Sequence, residues 1–177
     1  IGGDGLGLIS YYDQSNWDLK VAHCENINCT SATITTVDSE GIVGQKPSIA
    51  IGTDGFGLIS YWDSTNSGLK IAHCLNADCS DATISTLQTT GDQIFAESSI
   101  AVGADGLGLI AYAARFGVDT YIQVAHCSNI DCSDNSKITL QVTLPQGISI
   151  AIGADDRALI SYYDDGPQEY KVVHCND

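Results

Sequence analysis

Four copies of the dipeptide His-Cys punctuate the chain, at His23-Cys24, His73-Cys74, His126-Cys127 and His174-Cys175. Three of the cysteines have a second cysteine at a fixed spacing, giving Cys24/Cys29, Cys74/Cys79 and Cys127/Cys132. Each of these C-x4-C segments has Asn at its third place, and Asn favours turns. The spacing is wrong for a zinc C-x2-C or for haem attachment. It therefore predicts three local disulfides formed in an oxidising compartment, with Cys175 left over. Four histidines on a repeating framework suggest a metal ring, but equivalent positions of a repeat are spread apart. Metal ligation needs donors converging at about 2 Å. No cofactor or metal is expected on this reading. Calcium remains the one ion that the abundant carboxylates would suit, although no EF-hand or nonapeptide calcium loop is present.

Two further sets recur. Asp13 and Lys20, Asp63 and Lys70, and Asp164 and Lys171 share one spacing. Across a hairpin such residues face each other, so structural ion pairs are expected. In the third unit Ala114 and Gln123 replace both members together, which points to partners acting on each other. The aromatic residues Tyr11, Tyr12, Tyr61, Trp62, Tyr112, Tyr162 and Tyr163 lie beside these Asp positions. Two chemistries fit them: filling an interface between sheets, or stacking on sugar rings with a carboxylate for the hydroxyls. The candidate ligand-binding residues are Tyr12, Trp17, Trp62 and Tyr163. Asn28-Cys29-Thr30 matches a glycosylation acceptor pattern.

The elements that must position these residues repeat about every 50 residues, a period typical of solenoids and propellers. IGGDGLGLISYYD, IGTDGFGLISYWD, VGADGLGLIAYAA and IGADDRALISYYD open the four copies. Asp4-Gly5, Asp54-Gly55 and Asp105-Gly106 read as hairpin turns, with Asp155-Asp156 the fourth. Short strands of small residues precede these turns at 48–52, 99–103 and 149–153. Longer strands follow around 6–13, 56–63, 107–114 and 158–164. Next come the His-Cys strands, at about 19–24, 69–74, 121–127 and 170–175. Thr/Ile-rich strands at 32–38, 82–88 and 137–144 complete the unit. No stretch shows a helical period with caps. Four antiparallel strands per unit, with small residues innermost, make an all-β chain of β-propeller blades. About three and a half repeats are present on the roughly 50-residue period. Their units span 1–47, 48–98, 99–147 and 148–177 of a single repeat domain, the first and last incomplete.

The phrases PSIA-x-G-x-DG, ISYYD followed by DLKVAHC, and ITTVDS-x-G-x-VG resemble secreted bacterial β-propeller repeats, loosely akin to sialidase-like propellers. The likeness is clearest from Pro47 to Cys79. It implies a propeller and an extracellular or cell-surface setting, and by itself no reaction.

Net charge is −15, from 22 acidic and 7 basic residues. This excludes a nucleic-acid partner, whose phosphates need Lys and Arg. No apolar run is long enough to insert into a membrane. A sialidase carboxylate clamp needs three arginines, whereas the chain has only Arg115 and Arg157. No nucleophile elbow, P-loop or H-E-x-x-H is present. The only break in repeat symmetry noticed at this level, 113–122, offers no His, Cys or Glu. These features lead to the expectation of a non-enzymatic protein with no catalytic residues. Its role would be structural or self-associating, as an oligomer or filament. The alternative is a lectin that binds glycans on its Tyr/Trp–Asp blade edges. Its partners would be copies of itself, or flanking repeats, at the terminal strands. The first and last units look cut, so the chain reads as a processed product or an excerpt.

Overall fold

The computed structural model describes residues 1–88, 94–142 and 145–175. The fold is a β-propeller, built entirely of strands and turns. The first sheet holds β1 (Leu8–Asp13), β2 (Asp18–Cys24) and β3 (Ala32–Asp38). The second holds β4 (Val43–Ile51), β5 (Gly57–Asp63), β6 (Gly68–Cys74) and β7 (Ala82–Gln88). The third holds β8 (Ile94–Val102), β9 (Gly108–Phe116), β10 (Asp119–Cys127) and β11 (Asn135–Gln141). The fourth holds β12 (Pro145–Ile152), β13 (Ala158–Asp164) and β14 (Glu169–His174). Neighbours in each sheet are antiparallel.

The strands fall where the repeat places them, with two differences. The inner strands are longer than their small-residue phrase: β4 begins at Val43, ahead of Ser48. The third Thr/Ile-rich strand ends at Gln141, and the expected residues 143–144 lie outside the described residues.

β4, β8 and β12 pack on one another in succession, which makes them the innermost strands. An inner strand is a sheet edge, and its outward N–H groups need acceptors. The repeated serine provides them: Ile100 N–H donates to Ser48 Oγ and Ile150 N–H to Ser99 Oγ, both at 3.2 Å. A serine in one blade thereby holds the backbone of the next.

Side chains alternate between the two faces of each blade. Ile59, Tyr61, Ala72 and Cys74 of the second blade pack with Leu8, Leu19 and Val21 of the first. Leu58, Leu69 and Ile71 point the other way, to Ile100, Ile110 and Tyr112 of the third. Each fully buried large apolar side chain contributes roughly 1.5–3 kcal/mol.

The Asp-Gly turns are tight hairpins in which Gly5, Gly55 and Gly106 adopt φ of +80° to +85°. In the fourth unit Asp156 adopts the same left-handed backbone, at φ +64°, without the help of glycine.

Three disulfides join Cys24 to Cys29, Cys74 to Cys79 and Cys127 to Cys132. Each closes the turn between the third and fourth strands of its repeat, worth about 2 kcal/mol for so short a loop. Asn26, Asn76 and Asn129 clasp these loops by donating their amide nitrogen to Thr30, Ser80 and Ser133. Each disulfide lies against a glycine. A Cβ on Gly7, Gly57 or Gly108 would stand 2.8, 3.1 or 2.9 Å from the sulfur of Cys24, Cys74 or Cys127. In the fourth unit the same position is Ala158, and Cys175 there is a free thiol.

Gly108→Ala should therefore destabilise by about 1–3 kcal/mol through over-packing. That lowers the melting temperature by a few degrees. Ala158→Gly should cost no more than ~1 kcal/mol. Thermal melts of the two variants check this, and equal melting temperatures would count against it.

Candidate functional site

The inner strands all start at one end of the propeller, and there the repeats cease to resemble one another. Each inner strand shifts register just before its serine, between Gln45 and Ser48, Ile94 and Ser98, and Gln146 and Ser149. Such a bulge takes a residue out of the ladder and re-aims it. The residues two places before the serine are Lys46, Glu97 and Gly147. Lys46 has φ +46° and Gly147 +60°. Lys46 Nζ lies 3.2 Å from Glu97 Oε1, and Gly147 N–H donates to Glu97 Oε2 at 2.7 Å. One carboxylate thus links three successive inner strands at the axial mouth. Sequence reading missed these residues because they precede the repeating SIAIG phrase. Aligning the repeats two places further back exposes them.

Around this mouth the hairpin turns carry the Asp–Lys sets. Lys20 Nζ is 2.5 Å from Asp13, Lys70 3.0 Å from Asp63 and Lys171 2.8 Å from Asp164. Lys70 also reaches Asp38 of the first blade at 3.1 Å, and Tyr61 Oη donates to the same Asp38 oxygen at 2.7 Å. That cluster ties the first blade to the second and forms one side of a cleft of about 420 Å³ lined also by Ser39 and Glu40. Burial, then the negative charge of Asp38, push the Tyr61 hydroxyl far above its ordinary range. In the third blade Tyr112 Oη donates to Gln123 Oε1, so a neutral bond replaces the ionic one.

The Asp13 carboxyl is held well below the usual range by the Lys20 ammonium and then by Asn16. For Asp63, burial pushes upward, but the bonds from Asn66 and then Lys70 outweigh it. Asp164 has no such turn donors: Asp165-Gly166-Pro167 replaces the segment that ends in Asn16 or Asn66, and Pro167 has no N–H. Among the described residues, Asp164 Oδ1 is buried without a hydrogen-bond partner.

The aromatic residues divide by burial. Tyr61, Tyr112 and Tyr162 are buried between blades. Trp62 is half-buried against the core shared by the second and third blades. Tyr12 and Tyr163 are half-buried, and Tyr163 lies 5.1 Å from Tyr170 ring to ring. Trp62 and Tyr163 stand in register with Gln45 and Gln146 at the starts of the inner strands. Trp17 is 54% exposed.

The histidines are at the opposite end. His23, His73, His126 and His174 each pair through Nε2 with the turn aspartate of their own unit: Asp4, Asp54, Asp105 and Asp155, at 2.7–2.8 Å. The other oxygen of each aspartate accepts a backbone N–H of the turn. The turn Asp, read in the sequence only as a turn former, is thus the partner of the histidine. Among the described residues no group of three or more His, Cys, Asp or Glu is placed to hold a metal ion. A second cleft of about 420 Å³ lies at this end between the third and fourth blades, bordered by Asp105, His126, Arg157 and Cys175.

No protein-family model matches the sequence. No curated protein matches it either. Solved structures do share the fold. A protein of unknown function from Dyadobacter fermentans has a TM-score of 0.68 at 14% identity, over 97% of this chain and 50% of its own. An α-L-arabinofuranosidase from Lactobacillus brevis has a TM-score of 0.62 at 14% identity, over 97% of this chain and 64% of its own. A bifunctional GH43-CE protein from Bacteroides eggerthii has a TM-score of 0.59 at 16% identity, over 91% of this chain. The chain spans 21% to 64% of the lengths of these three proteins. Neighbours described as GH43 proteins are among these β-propellers, and likeness to a sialidase is not shown. They count against the expectation of a non-enzymatic, structural or self-associating protein, because solved glycosidases share this architecture. The hairpin at 113–122 is also not the single break in repeat symmetry, since the inner-strand starts differ from unit to unit.

Two predictions follow from the mouth. Asp13 and Asp63 titrate lower in the fold than in the unfolded chain, whose carboxyls titrate near ~3.9. Their stabilisation is complete above that value and is lost as pH falls through the folded values. Urea melts should show stability falling below about pH 4, with a shallower slope in Lys20→Met. Pro167→Asn should return donors to Asp164 and stabilise by about 1 kcal/mol. Calorimetry showing a lower melting temperature would reject that assignment.

Proposed function

We propose that this chain belongs to an extracytoplasmic carbohydrate-processing propeller that takes a neutral glycan at its axial mouth. The observation that carries the reading is the unit-specific trio Lys46, Glu97 and Gly147, set in bulges on the inner strands of a fold shared with glycosidases. The strands behind it are repetitive, and a site that performs one task on one substrate has no use for repetition. Glu97 is the only acid on the described inner-strand residues. Glycoside hydrolysis ordinarily uses a pair of carboxyls, so the reaction needs a second one from outside these strands. Lys46 and the amide oxygens and nitrogens of Gln45 and Gln146 supply hydrogen bonds for sugar hydroxyls. Tyr163, Tyr12 and the open part of Trp62 supply ring faces. The net charge of −15 repels acidic polysaccharides and leaves neutral pentose and hexose chains as the substrate class. The three disulfides support the extracytoplasmic setting.

The test pairs calorimetric binding with chromatography of released sugars, using arabino-, xylo- and galacto-oligosaccharides. Binding or cleavage of at least one class is expected. Glu97→Gln should reduce cleavage by about 100-fold or more. A protein that neither binds nor cleaves any of the three would refute the reading.

A further inference from the structure

We infer that Trp17 is a sugar-stacking platform at the rim of the mouth, an outlying subsite of the glycan site proposed above, on which this inference rests. Trp17 occupies the last place of the hairpin turn between β1 and β2. Its N–H donates to Asp13 O at 2.7 Å. Its φ is +65°, in the left-handed region. The same place holds Ser67 at φ +50° and Gln168 at φ +61° in the second and fourth units. The backbone therefore imposes this conformation on the three units that share the turn, and two of them meet it with small or polar residues. A bulky aromatic is among the poorest choices there. It belongs to none of the core clusters, and 54% of it is exposed.

The turn that carries it is rigid and aimed. Asp13 accepts Ser15 N–H at 3.0 Å, Asn16 Nδ2 at 2.7 Å and the Lys20 ammonium. The Trp17 carbonyl accepts Val43 N–H at 2.9 Å, which fastens the turn to the start of an inner strand, on the same strand as Lys46. The flanking residues supply what a sugar ring needs besides a flat face. Asn16 spends its amide nitrogen on Asp13 and keeps its amide oxygen for another donor. The Asp18 carboxylate is partly open to solvent and accepts from no described side chain. An aromatic plane between two hydroxyl acceptors matches a sugar with one apolar C–H face and equatorial hydroxyls. Local backbone strain held at a rigid rim is characteristic of a binding position.

The experiment uses the whole chain with arabinohexaose, xylohexaose and a galacto-oligosaccharide. Trp17→Gly relieves the left-handed strain and removes the platform. The expected result is an unchanged or raised melting temperature together with at least tenfold weaker binding. Trp17→Phe should recover most of the affinity. Tryptophan fluorescence should shift on glycan addition in the native protein and shift clearly less in Trp17→Phe, where only Trp62 reports. If glycan binds, but Trp17→Gly binds equally well and the fluorescence shift is undiminished in Trp17→Phe, the subsite is wrong and the proposed function stands. If Trp17→Gly loses binding together with a lowered melting temperature, Trp17 is structural and the inference fails. If no glycan binds either protein, the functional reading and the subsite fall together.

Discussion

The structure depends on how one blade is held to the next at the axis. Each inner strand is a bare edge with N–H groups that must be satisfied. Serine hydroxyls of the preceding blade satisfy them at Ile100 and Ile150. That contact is short and directional, so it fixes spacing and register between blades. The apolar cores then form because alternate side chains of neighbouring sheets already face each other at that spacing. The mouth follows as well, since Lys46 and Glu97 sit two residues before the stitching serines Ser48 and Ser99, and Gly147 two before the equivalent Ser149.

Around this axis the turns are stiffened by different chemistry at each end. At one end an aspartate binds both its own turn and a histidine. At the other an aspartate binds its turn and a lysine. The outer loops are closed by disulfides whose sulfurs rest where a glycine leaves room. In the fourth unit Ala158 occupies the glycine position and Cys175 is unpaired, so the small residue and the disulfide go together. Pro167 and the orphaned Asp164 oxygen in the same unit mark a weaker hairpin.

Much of this was legible in the amino-acid sequence because it repeats. Period, alternation and Asp-Gly turns define the blades, and the C-x4-C spacing leaves little choice of local cross-link. The Asp13 and Lys20 set is visible because its partners lie across one hairpin. The pairing of His73 with Asp54 is less visible, because the two stand 19 residues apart with no pattern between them. The bridging of Lys70 to Asp38 joins two blades, and periodicity within a blade says nothing about contacts between blades. The Glu97 site escaped notice because a bulge, which has no strong sequence signal, decides where that side chain goes. Repetition drew attention to what the units share and away from the places where they differ.

The bulges at the inner-strand starts separate two duties of the chain. The residues that follow them carry the stitching serines and the core, where a change would propagate around the ring. The bulged residues lie outside the ladder, and a lysine, a glutamate and a glycine occupy this place in the three strands. A duplicated blade could therefore acquire a new chemical group at the axis while leaving its sheet intact. One position per blade can thus be rewritten with little effect on the sheet that carries it.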